Sequence, residues 1–114
     1  MKIKTSLLLT GSLFVALAGF APAHAAVDAD EAKKIAKRND CFKCHAEDKT
    51  KKGPSYKAIA AKFKEKKLGE KEAIKQMTMG YKVKLEDGTE EEHKIIDTKD
   101  PKELSNLAQW ILNR

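Results

Sequence analysis

A chain of 114 residues with 23 Lys and Arg against 17 Asp and Glu carries a formal charge of +6, and 6% of it is aromatic. That length admits one domain, and basic residues diluted by so many acids, with a single Trp, argue against a nucleic-acid surface. Three His and two Cys leave few residues from which a chemical site can be built.

At the N-terminus, MKIK is a basic head, SLLLTGSLFVALAGF an apolar or small-residue run, and APAHA ends on the small-x-small pattern Ala23-His24-Ala25. The pattern predicts a secretory signal peptide over residues 1–25, cleaved near Ala25/Ala26. A retained membrane anchor is the alternative, but the run is short against the roughly 20 residues of a span, and no stop-transfer pattern follows. Cleavage removes Lys2 and Lys4, lowering the charge by two, and leaves one domain over residues 26–114. Domains this small lean on a covalent or metal staple. His24 also leaves, so Cys41, Cys44, His45 and His93 become the whole histidine and cysteine inventory.

Asp28 to Asp40 predicts a first helix: Asp28 and Glu31 have capping spacing, lysines follow the acids, and Ala32, Ile35 and Ala36 form the apolar stripe. CFKCH follows, from Cys41 to His45. After the Gly53-Pro54 turn, Ser55 caps a second helix with Tyr56, Ile59, Ala60 and Phe63 on one face. EKEAIKQMTMG gives a third, with Ala73, Ile74 and Met77 inward and Gly80 as its stop. Between Gly80 and Asp100 the pattern is not helical: YKVKL alternates and Asp87-Gly88 is a turn signal, which predicts a small hairpin between residues 81 and 97. The last helix has Asp100 as cap, Pro101 at its first position, Glu103 at the capping-box spacing, and Leu104, Leu107, Ala108 and Ile111 beside Trp110. The fold class is therefore all-α.

CFKCH carries the chemistry. Two thiols three positions apart can add to the two vinyl groups of one haem, and the next residue, His45, is then placed to reach the iron. Three rivals compete. A thioredoxin-like redox pair needs a strand and a βαβ context, whereas a charged helix precedes this motif. A structural zinc site needs four ligands, which Cys41, Cys44, His45 and His93 formally supply. A disulfide suits export but closes a very small loop and leaves His45 unexplained.

CFKCHAEDKTKKGPSYKAIAAKF resembles the start of a small bacterial class I cytochrome c of the c551/c552 type, and LAQWILN is similar to that family's terminal helix. The resemblance implies a cytochrome c fold of four to five short helices around one covalently attached haem c. By position it makes Cys41 and Cys44 the thioether residues and His45 the proximal ligand. It also makes the Pro54 carbonyl the partner of the His45 ring, and Gly53 the place where the backbone approaches the haem. The first and last helices would cross.

The sequence departs from the family at the sixth ligand. Members carry a methionine in a Pro-rich loop, roughly 16 or 17 positions before the tryptophan of the last helix. No Pro or Met lies between Gly80 and Asp100, and the longer of those offsets from Trp110 falls on His93. His93 is thus the candidate sixth ligand, with Met79, Met77 or an open position as alternatives. Two imidazoles would set a lower potential than imidazole with thioether, and acid would release His93 before the thioethers. Glu90, Glu91 and Glu92 read either as a solvated turn or as a source of one carboxylate that orients the His93 ring.

Lys43, Lys49, Lys51, Lys52, Lys57, Lys62, Lys64, Lys66, Lys67 and Lys71 crowd the segment after the motif. They would rim the haem edge and steer acidic redox proteins into brief encounters, or serve only as solubilising charge. The expectation is a periplasmic electron carrier rather than an enzyme, with no stable membrane anchor after cleavage. The alternative is a haem-based binder of small gases with a displaceable sixth ligand.

Overall fold

The computed structural model describes residues 26–114 and Gly19; apart from Gly19, the signal peptide read over residues 1–25 lies outside the described residues. Five helices and two short strands follow in the order α1 Ala29–Arg38, α2 Cys41–Cys44, α3 Tyr56–Glu65, α4 Glu70–Thr78, β1 Lys82–Lys84, β2 Glu90–Glu92 and α5 Pro101–Leu112. The domain is mostly helical, with one small hairpin.

Local chemistry starts the helices. Asp28 accepts from Glu31 N at 3.0 Å, Ser55 from Ala58 N at 3.0 Å, and Asp100 from Lys102 N at 2.9 Å, each satisfying an orphan donor of a first turn. Gly69 opens α4 without a side chain, so Glu72 reaches back to Gly69 N at 2.9 Å instead. The box expected at α5 does not close: the Glu103 carboxylate turns to Arg38 Nη2 at 3.1 Å. Gly80 ends α4 at φ +63°, in the left-handed region that a side chain disfavours.

The core lies where α5 meets α1, α3 and α4. Ala32, Ile35 and Ala36 of α1 face Leu104, Leu107, Ala108 and Trp110 of α5, joined by Tyr56, Ala73, Met77 and Ile96. Alanines at i and i+4 on α1 let the α5 backbone approach, while each fully buried Ile or Leu contributes about 1.5–3 kcal/mol. At the open end of α1, Asp28 N donates to Asn106 Oδ1 and Asn106 Nδ2 to Asp28 O, both at 2.8 Å, which fixes how the first and last helices cross. Asp28→Ala removes the α1 cap and is expected to cost about 1 kcal/mol, seen as a thermal midpoint lower by several degrees.

The strands pair antiparallel, Lys82 with Glu92, Val83 with Glu91 and Lys84 with Glu90. Their loop is built as the Asp-Gly signal predicts: Gly88 sits at φ +86° and Asp87 Oδ1 accepts from Thr89 N at 2.9 Å. Glu90–Glu92 form an exposed strand, not a turn. Among the described residues no helix is long and apolar enough to cross a membrane.

Candidate functional site

Asp40, in the left-handed region at φ 58°, turns the chain sharply out of α1 into α2. One helical turn then places Cys41 and Cys44 on the same side, three residues apart, and both are free thiols. Burial raises the pKa of Cys41 above its ordinary value. Phe42, between the cysteines, anchors this short helix. Its ring meets Tyr56 edge-on at 5.9 Å and Trp110 at 6.5 Å, and Tyr56 meets Trp110 at 5.1 Å. Sequence reasoning did not give Phe42 a role; an aromatic inside a two-residue spacer was the available signal.

His45 leaves α2 in extended conformation. The following loop folds back beneath it through Gly53 N donating to Cys44 O at 2.9 Å and Tyr56 N to Ala46 O at 2.9 Å. This brings the Pro54 carbonyl 2.6 Å from His45 Nδ1, which must be the donor. Gly53 makes room for the same ring: a Cβ there would stand 3.0 Å from His45 Cε1 and 3.3 Å from Nδ1. Gly53→Ala is accordingly expected to tilt the imidazole and cost about 1–3 kcal/mol, read as a lower unfolding midpoint together with altered g-values in the magnetic resonance of the oxidised protein.

His93 follows β2 directly, and its N donates to Tyr81 O at 2.8 Å. Its ring stands across from His45 with centroids 6.2 Å apart and planes at 41°. A metal bound by one nitrogen of each ring needs about 2 Å for each bond and about 1 Å from each nitrogen to its ring centre, close to that spacing. His93 Nδ1 donates to the Lys94 carbonyl at 3.0 Å, as His45 Nδ1 does to Pro54. Both rings are thereby held in the tautomer that leaves the Nε2 lone pair free. The partner of His93 is a backbone carbonyl, not one of the neighbouring glutamates.

Burial, ahead of the nearby His45, pushes the His93 pKa below its ordinary value of 6.5. The folded chain therefore favours the neutral imidazole. That contribution to stability is complete above the ordinary value and is lost as the pH falls through the depressed one.

The methionines are placed differently. Met77 is committed to the core, while Met79 caps the C-terminus of α4 and is 59% exposed. The described residues gather no group of three or more His, Cys, Asp or Glu that could hold a metal ion, so the zinc set is not assembled as one cluster.

The arrangement fits a haem on a further count. Tyr56 Oη and Trp110 Nε1 are buried without a hydrogen-bond partner among the described residues, an expensive state unless a bound group supplies acceptors. A haem carries two carboxylates. Burial, reinforced by Cys41 and Cys44, pushes the Tyr56 phenol far above its ordinary range, so it remains a donor.

The cytochrome c family model matches residues 29–114. Among solved structures, the crystal structure of the class 1 cytochrome MtoD from Sideroxydans lithotrophicus ES-1 is 50% identical in sequence, superposes with a TM-score of 0.72, and is matched over 77% of this chain and 97% of that one. Among curated proteins none matches the chain significantly. With CFKCH at the attachment position, the family brings one covalently bound haem c. The chain belongs to the cytochrome c family, as a small class I member.

Proposed function

We propose that the protein is a periplasmic monohaem cytochrome that carries single electrons between larger redox proteins, with His45 and His93 as its two axial ligands. The observation that carries this reading is the pair of facing imidazoles, 6.2 Å apart and each tied at Nδ1 to a carbonyl. When bound, the haem supplies a one-electron iron couple. Cys41 and Cys44 tether it, Gly53 and Pro54 set the His45 ring, and Tyr56 and Trp110 offer the buried donors. An electron carrier needs both ligands to stay in place in both oxidation states, and two rings held from behind meet that requirement.

Export by the predicted signal peptide supports the periplasmic location, where cytochromes of this class typically work. The lysines from Lys43 to Lys71 are exposed along the attachment loop, α3 and the start of α4, a distribution suited to steering acidic partners into short-lived encounters.

Absorption and magnetic resonance of the oxidised protein test the ligand pair. A low-spin signal without a red-edge sulfur-to-iron band is expected; that band would assign Met79 or Met77 instead. Carbon monoxide added to the reduced protein separates carrier from gas binder. Slow or absent conversion is expected, and rapid full conversion would support the gas-binding alternative.

A further inference from the structure

Asn39 closes α1 and is 1% exposed. Its φ of −97° is open to any residue, so backbone conformation does not explain an amide at this helix end. Nor does burial alone, because a buried amide is costly unless its hydrogen bonds are made. They are made mainly across the fold. Nδ2 donates to Ile35 O at 2.9 Å and to Asp97 Oδ1 at 3.0 Å, 58 residues away, while Oδ1 accepts from Asp97 N at 2.9 Å. Arg38 Nε adds bonds of 3.2 Å to both Asp97 oxygens, and Arg38 Nη2 ties the group to Glu103 of α5. Asn39 first, then Arg38, hold the Asp97 carboxyl below the ordinary carboxylate range.

Asp97 ends the short arm that starts at His93. Within that arm His93 Nδ1 donates to the Lys94 carbonyl, so the ring can only be as steady as the Lys94–Ile95 peptide. Two bonds downstream fix that peptide: Ile96 N to Met77 O at 2.9 Å and Asp97 N to Asn39 Oδ1 at 2.9 Å. The second reaches the residue two positions before Cys41, where haem attachment begins. The arm carrying one imidazole is thus fastened to the segment that delivers the other.

We propose that the buried Asn39 amide and the exposed Asp97 form a clamp that positions His93, making them positioning residues for the sixth ligand; the inference rests on the reading of His93 as that ligand. The clamp sets how often His93 leaves the iron and hence how readily an outside ligand replaces it.

The test is the rate at which cyanide displaces the sixth ligand in the oxidised holoprotein, with hydrogen exchange at Ile96 and Asp97 as a second readout. Asn39→Ala and Asp97→Ala are expected to raise the displacement rate about tenfold and to speed both exchanges, since each removes a hydrogen bond worth on the order of a kcal/mol or more. Asp97→Asn keeps an acceptor and should fall near the unmodified protein. Asp28→Ala, which weakens the far end of α1 without touching the clamp, should leave the rate unchanged. Folded Asn39→Ala and Asp97→Ala proteins within about twofold of the Asp28→Ala rate would overturn the clamp, given that one hydrogen bond is worth more than this. Should Asn39→Ala fail to fold, the Asp97→Ala and Asp97→Asn pair decides. A sulfur-to-iron band in the unmodified protein would overturn the His93 reading and the clamp's role with it. Unchanged cyanide rates in a protein with two imidazole ligands would overturn the clamp alone.

Discussion

His93→Ala is expected to convert a low-spin protein into a high-spin one that takes up carbon monoxide rapidly when reduced. The size of the change follows from where the two methionines of α4's C-terminal end stand. Met77 is held among Ala73, Ile96 and the α5 side chains, and freeing it would open the core at a cost of about 2–5 kcal/mol. Met79 is exposed at the helix end, beyond which Gly80 at φ +63° and the Ile95 side chain fix the turn. On the reading of His93 as a ligand, either thioether would have to rebuild the end of α4 to take its place. His93→Met separates position from ligand chemistry: a recovered low-spin state with a red-edge sulfur band shows that the arm holds its place whatever donor it presents. If His93→Ala retained the spectrum of the unmodified protein, His93 would not be a ligand.

Trp110→Ala should have the largest effect on stability. Trp110 is 0% exposed. It meets Tyr56 at 5.1 Å and Phe42 at 6.5 Å, and carries the Arg114 guanidinium 4.8 Å from its ring centroid. Truncating such a side chain costs about 3–5 kcal/mol, a large part of the 5–15 kcal/mol that stabilises an ordinary domain. Denaturant unfolding of the holoprotein measures it, and a loss under about 1 kcal/mol would contradict the packing described. Trp110→Phe keeps most of the ring and deletes only the Nε1 donor. It should cost far less than alanine while disturbing the environment of the bound haem if Nε1 serves a carboxylate there.

Local signals in the sequence were enough for the helices, because caps and stripes act within a few residues. Asp28, Ser55 and Asp100 each cap the helix they were expected to cap, and the faces led by Ile35, Met77 and Leu107 turn inward. Asp87-Gly88 announced the hairpin for the same reason. What escaped depends on partners distant in the chain. Glu103 had the spacing of a capping box, yet Arg38, 65 residues earlier, recruits its carboxylate. Asn39 looked like any polar helix end, and nothing near it in sequence points to Asp97. The site divides likewise. CFKCH and Gly53-Pro54 are contiguous signals for one half. For the proposed other half, the only signal for His93 is its offset from Trp110, and the carbonyl that its ring meets, Lys94 O, carries no sequence signature.

The hairpin has one more consequence. Lys82 faces Glu92 and Lys84 faces Glu90, all exposed, with only Val83 partly covered. A ribbon with no apolar face takes its register from the turn and from charge pairing, and dissolved ions screen exposed charges over about 8 Å at physiological ionic strength. The two sides of His93 therefore answer to different conditions: electrolyte loosens the strand leading into it, whereas the bond beyond it, from Asp97 N to the buried Asn39 amide, joins neutral groups that ions do not screen.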